Sequence, residues 1–300
     1  MDNAAFWLTE QDVVELIGLD DAIGALEHSV VAETRGEARN MSKTMLQYGK
    51  SNLHALGGQL RELVGTKTWV HAEAGTCPLL MLWDAHDGRL RAVIEAFALG
   101  NLRTGATSGL ATRWLAAPQA RVMAMIGTGK QALSQVAAVA AVRTLDEVRV
   151  FGRDAEKREA FAAKVKSELG VAASPIASIE DATRNADVVT LATRASEPFL
   201  FSRHLKDGAH VNAIGAIGPD REEFGQDLFD RASIVCVDQI SAVQQLSREF
   251  GRQYQDRGWD DVRTLGQVVA QGVPAWNPGR VSLFKAMGMG LSDVALGAHV

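Results

Sequence analysis

Apolar and polar positions alternate along this chain in two different patterns. In the first hundred residues, Leu19 to Glu37 places Ala22, Ile23, Leu26, Val30 and Val31 at close to helical spacing, and Thr9-x-x-Asp12 ahead of it has the form of a capping box. Three strand-like runs follow, Thr68–His71, Leu79–Trp83 and Leu90–Ala96, with the hairpin-type turn Asp84-Ala85-His86-Asp87-Gly88 between the last two. This predicts an α+β unit with an antiparallel meander.

From about residue 100 the pattern changes. Leu102 to Leu115 reads as a helix. After it come a strand at 121–126, a helix at 131–143, a strand at 147–151, a helix at 154–168, a short helix near 178–184, and strands at 187–192, 209–214 and 233–237. Strands and helices alternating at this length predict an α/β fold with a parallel, doubly wound sheet. The last apolar stretch, Val281 to Leu296, reads as a helix beyond the alternating unit that can return to the first domain.

The chemistry begins at Gly127-Thr128-Gly129-Lys130-Gln131-Ala132, between the first strand of that alternation and its helix. The first glycine permits a tight turn and the second lets backbone approach a pyrophosphate. The third small residue, Ala132, lets helix and strand pack. The helix N-terminus then faces the phosphates with N–H groups and a positive dipole end. The next strand runs into Gly152-Arg153-Asp154. Glycine stands where an acid would bind the ribose of NAD, and Arg153 suits a 2′-phosphate, which favours NADP(H). NAD(H) stays open, because a one-residue shift of the strand end makes Asp154 the ribose ligand. Asp154 equally reads as the cap of the following helix.

Composition narrows the classes. The 300 residues are 47% hydrophobic and 22% charged, enough for one or two domains with a large core. A net charge of −5 gives no electrostatic footprint for nucleic acid. Two cysteines cannot form a disulfide framework, and the seven histidines show no metal-binding spacing, so no metal is expected. Met1 to Ala5 is polar and does not read as a signal peptide, and no apolar run is long enough to span a bilayer. A cytoplasmic protein without membrane partners is the expectation.

Several blocks, in order, resemble the ornithine cyclodeaminase/mu-crystallin family: Gly65-Thr66-Lys67-Thr68-Trp69, Ile94-Glu95-Ala96 with Leu102-Arg103-Thr104-Gly105-Ala106, the Gly127 turn, Val211-Asn212-Ala213-Ile214-Gly215, and Phe284-Lys285-Ala286-Met287-Gly288. The resemblance implies a homodimer. It also implies a Rossmann domain, residues 113–281, inserted in a substrate and dimerisation domain made of 1–112 and completed by 282–300. It leads one to expect further helix beyond Val300. Its activities are NAD(P)-dependent reduction of an imino acid or the reverse amino-acid dehydrogenation, redox-neutral cyclodeamination, and NADPH-dependent binding of a small ligand.

Lys67 matches the family's active-site lysine, suited to bind a substrate carboxylate or give a proton once burial lowers its pKa. Arg103 matches an arginine beside the nicotinamide and the substrate carboxylate. These two are the expected catalytic residues, with Lys43 and His54 joining them in substrate binding. The resemblance extends the cofactor candidates beyond Gly127, Gly129, Lys130, Gln131, Ala132 and Arg153 to Thr76, Arg103, Thr104, Thr193, Asn212, Ile214 and Arg221. Two departures stand out. Lys43 occupies the place of a carboxylate-binding arginine, keeping the charge without the fork. Ile217 stands where cyclodeaminases and the related alanine dehydrogenases carry an aspartate, with Asp220 three residues on as the nearest acid. Isoleucine neither accepts a proton nor holds an ammonium group, so imine reduction leads and cyclodeamination follows.

Overall fold

A computed structural model describes residues 4–272 and 274–300. The chain forms two compact units, one running to Ala106 and resuming at Gly288, the other from Thr107 to Met287.

The first unit holds β1 (Phe6–Leu8), α1 (Glu10–Leu16), α2 (Leu19–Thr34), β2 (Ala38–Tyr48), β3 (Ser51–Leu60), β4 (Leu63–Ala72), β5 (Gly75–Thr76), β6 (Leu79–Asp84) and β7 (Leu90–Glu95). The helix α3 (Phe97–Leu115) begins in it. The strands make one sheet in the order β1-β7-β6-β4-β3-β2, antiparallel except for β1 on β7. The expected capping box forms: Asp12 N donates to Thr9 Oγ1 at 3.3 Å and Thr9 N to Asp12 Oδ2 at 2.7 Å. Glu10 then caps α3, its carboxylate accepting from Phe97 N at 2.7 Å and Ala98 N at 2.6 Å.

The second unit contains β8 (Val122–Ile126), α4 (Ala132–Val142), β9 (Glu147–Phe151), α5 (Ala155–Leu169), β10 (Ala173–Pro175), α6 (Ile179–Thr183), β11 (Val188–Leu191), β12 (His210–Ala213), α7 (Asp227–Arg231), β13 (Ala232–Val237), α8 (Ile240–Leu246), α9 (Arg248–Tyr254), β14 (Val262–Thr264), α10 (Leu265–Ala270) and β15 (Val281–Lys285). Its eight strands are all parallel, in the order β10-β9-β8-β11-β12-β15-β13-β14. This is the doubly wound sheet, with its switch between β8 and β11. The final helix, α11 (Gly290–His299), belongs to the first unit, where it packs on α2 and on β2, β3, β4 and β6.

Val281 to Leu296 is therefore not one helix. Its first five residues are a fully buried strand between β12 and β13, and only Gly290 onward is helical. A short continuous apolar run suits a two-sided buried strand as well as a helix, and periodicity does not separate them. The strand carries the boundary of the second unit from 281 to Met287, and the first unit ends at Ala106 rather than 112.

The hairpin β2–β3 and the long β4 exceed the strands expected from sequence. Parity sorts them. Gly65, Lys67 and Trp69 share one face of β4, while Val64, Thr66 and Val70 share the other. α11 covers the first face closely because small residues meet there. A Cβ on Gly290 would lie 2.2 Å from the backbone of Gly57, and one on Gly65 would lie 3.1 Å from Val294.

Candidate active site

In the first unit, β4 and the helices α3 and α11 bring charge together in the interior. Lys67 is only 4% exposed. Its Nζ donates to Asp293 Oδ1 of α11, and Arg103 Nε of α3 lies 3.5 Å from the same oxygen. α3 passes so close that a Cβ on Gly100 would stand 3.5 Å from the ammonium. The Trp69 ring lies under two cations, Lys67 Nζ at 5.5 Å and Lys43 Nζ at 5.9 Å from its centroid. His54 stacks on the same ring at 4.8 Å.

Two cations thus share one buried carboxylate and Lys43 adds a third positive charge close to Lys67, an excess of positive charge suited to an organic anion. Burial pulls the Lys67 pKa down to about 8, with Arg103 and Lys43 adding to the effect and Asp293 opposing it. Burial and Arg103 also lower Lys43, and burial and Lys43 lower His54. His54 Nδ1 is buried without a hydrogen-bond partner among the described residues. Lys43, His54, Lys67 and Arg103 are therefore brought together. Asp293 was not among the residues expected from sequence. Thr104 and Thr76 also lie in the first unit. Thr104 Oγ1 donates to Gly100 O at 2.8 Å, and Thr76 Oγ1 pairs with His71 Nδ1 at 3.1 Å.

In the second unit, a cleft of about 980 Å³ opens at the C-terminal ends of the strands, at the switch of the sheet. Gly127, Gly129, Lys130 and Gln131 line it, as do Arg153, Thr193 and Ile214. Gly127 has φ +111°, and a Cβ there would fall 2.4 Å from Ala192 O. A Cβ on Gly129 would meet no protein atom, so its absence leaves the backbone open to a ligand. Ala132 is buried where α4 begins. This turn fits the pyrophosphate of a dinucleotide.

Between β9 and α5, Asp154 lines the cleft beside Arg153. It caps α5, accepting from Lys157 N at 3.1 Å, and pairs with Lys157 Nζ at 3.3 Å. Arg153 lines the cleft, and its side chain has no ion pair or hydrogen bond among the described residues.

Two further expected cofactor residues, both of the second unit, do not line this cleft. Asn212 is fully buried in β12, where its side chain bonds His210 Nε2 at 3.0 Å and donates to Thr112 Oγ1 at 2.9 Å. Inner strand positions of a parallel sheet face helices rather than the crevice. The Arg221 guanidinium donates to the carbonyl of Arg194 and pairs with Asp220 at 3.2 Å, so it braces the cleft loop from behind. The same pair shows that Asp220 is engaged at the surface. Ile217 lines the cleft and is 48% exposed.

The family model for the ornithine cyclodeaminase/mu-crystallin family matches residues 4–300. The chain belongs to this family. Alanine dehydrogenase of Archaeoglobus fulgidus is 30% identical over 306 residues, covering 96% of this chain and 92% of that protein. Ketimine reductase mu-crystallin of Rattus norvegicus is 33% identical over 215 residues, covering 72% of this chain and 66% of the relative. Among solved structures of the family, a probable ornithine cyclodeaminase from Bordetella pertussis Tohama I has a TM-score of 0.92 at 26% identity, covering 99% of this chain and 96% of the other. An archaeal alanine dehydrogenase dimer with bound NAD has a TM-score of 0.91 at 27% identity, covering 98% and 94%.

Proposed function

We propose that this protein is an NAD(P)H-dependent oxidoreductase that reduces the C=N bond of an α-imino acid to an amino acid, or runs the reverse dehydrogenation. The observation that carries the reading is the cluster in which Lys67 and Arg103 meet the buried Asp293 carboxylate, with Lys43 over the same Trp69 ring as Lys67, which joins carboxylate-binding charge to a lysine able to exchange a proton near neutral pH. The relatives named alanine dehydrogenase and ketimine reductase point to the same chemistry.

A nicotinamide cofactor, when bound, would supply the hydride. Arg103 and Lys43 anchor the substrate carboxylate, and Lys67 holds the proton that the imine nitrogen takes up. The glycine turn of the second unit holds the pyrophosphate, and Arg153 favours NADP(H) by offering an uncommitted guanidinium to a 2′-phosphate. Ile217 disfavours cyclodeamination, because it offers an apolar side chain where that reaction requires an acid. Substituting Lys67→Ala and Arg103→Ala tests the assignment. Each should cut kcat/KM for an α-imino acid by about a hundredfold or more, the scale of general-acid and positioning effects. Near-normal activity in either variant would remove that residue from the site.

We also propose a homodimer. The face of the first unit's sheet opposite α11 carries Trp7, Leu46, Leu53, Val64 and Val70, all exposed. An apolar sheet face of this kind marks an association surface. Leu53→Asp should turn a dimer into a monomer by light scattering, and a wild-type protein already monomeric at micromolar concentration would contradict it.

A further inference from the structure

Asp293 sits in the first turn of α11 with its side chain fully buried. Its Oδ1 takes the Lys67 ammonium and lies near Arg103, while Oδ2 is buried and has no hydrogen-bond partner among the described residues. An interior carboxylate persists only when its charge is matched, and here it is matched by the two residues the reduction relies on. The titratable groups around Lys67 come from every side: Lys43 of β2, His54 of β3 across the Trp69 ring, Arg103 of α3 and Asp293 of α11. Of these, the other three are basic. Asp293 alone among them favours the charged lysine.

We propose that Asp293 is a positioning residue for the reduction: through its ion pair it holds the Lys67 ammonium charged and in place beside the substrate nitrogen. This rests on the reductase reading above. The step balances simply. The imine carbon receives the hydride from the reduced nicotinamide, the nitrogen receives a proton from Lys67, and the neutral lysine regains its proton from water. Without Asp293, burial and two neighbouring cations would act on Lys67 unopposed and shift it toward the neutral amine. The close Gly57–Gly290 and Gly65–Val294 contacts are what let α11 sink far enough for this carboxylate to reach β4.

The test uses Asp293→Asn, nearly the same shape without the charge. The Lys67 titration is followed by NMR of lysines labelled with ¹³C at Cε, assigned with Lys67→Met, and imino acid reduction is measured across pH. In the wild type Lys67 should titrate near 8. In Asp293→Asn the midpoint should fall by about one unit or more, and reduction at pH 8 should drop about fivefold and recover toward pH 6. Asp293→Glu should restore both in part. If Asp293→Asn does not fold, Asp293→Ser is read in the same way. An unchanged or raised Lys67 midpoint in the folded variant overturns the proposal, even if activity falls. A shifted midpoint in a protein whose wild type reduces no imino acid would sustain the pairing and sink the reductase reading instead.

Discussion

Glu223 grips Thr193 twice: its Oε1 accepts from the Thr193 N–H and from the Thr193 hydroxyl, each at 2.7 Å. Its Oε2 accepts from Gly215 N at 2.9 Å and Ala216 N at 3.0 Å. One buried carboxylate therefore ties together the loops after β11 and β12, both of which line the nucleotide cleft. Behind it, Glu223 N and Lys285 Nζ both donate to Glu249 Oε1, at 3.2 and 3.3 Å. Burial pushes the Glu223 carboxyl up from its usual range, while Lys285 and the donors of Thr193 and Ala216 work against that.

Glu223→Ala should accordingly loosen both loops. Four donors lose their acceptor at once, at a cost of about 3 kcal/mol. The Kd for NADPH should rise at least tenfold, measured by nicotinamide fluorescence, with a lowered Tm. A Kd within twofold of wild type would show that the loops keep their shape without the clasp.

Arg153 bears on cofactor choice. Arg153→Ala should weaken NADPH binding by about tenfold and leave NADH nearly unchanged, as expected for loss of one charged contact to a phosphate. Tighter binding of NADH than NADPH by the wild type would show that another group reads the ribose.

His210 makes the second unit acid-sensitive. It is fully buried, bonded to Ser282 and Asn212, and burial lowers its pKa from 6.5 to about 4. Between those values the unfolded chain binds a proton that the folded chain refuses, so stability rises with pH across this window. It should be lost as pH falls from 6.5 toward 4, by roughly 3 kcal/mol in all. Denaturant unfolding at pH 7 and pH 4.5 should show the loss in wild type and much less of it in His210→Gln. Equal pH dependence in both proteins would assign the acid sensitivity to other groups.

How much of this was legible in the sequence depends on the range over which each signal acts. The Gly127 turn and the alternation around it are local, and the nucleotide unit could be read from them. Lys67, Arg103, Lys43 and His54 came from residue chemistry and family resemblance, and the fold brings them together. Asp293 left no such signal. Its partner is 226 residues away, and nothing in Leu291-Ser292-Asp293 says which face of a helix meets Lys67. The hairpin β2–β3 is hidden by Gly57-Gly58, poor strand formers that stand where a Cβ would meet the β4 backbone at Gly57 and the Leu291 backbone of α11 at Gly58. β15 was misread because a buried strand and a buried helix look alike over five apolar positions. Asn212 matched a family block, yet its place inside β12 commits its side chain to His210 and Thr112.

Imine reduction consumes reduced nicotinamide, whereas cyclodeamination releases ammonia and leaves the nicotinamide unchanged overall. The most direct measurement follows nicotinamide absorbance and ammonia release together, with the wild-type protein given either NADPH and a panel of cyclic and linear α-imino acids, or NAD⁺ and ornithine. Stoichiometric NADPH oxidation with at least one imino acid, and no ammonia from ornithine, is the predicted result. Ammonia and proline formed from ornithine with no net change in the nicotinamide would contradict it.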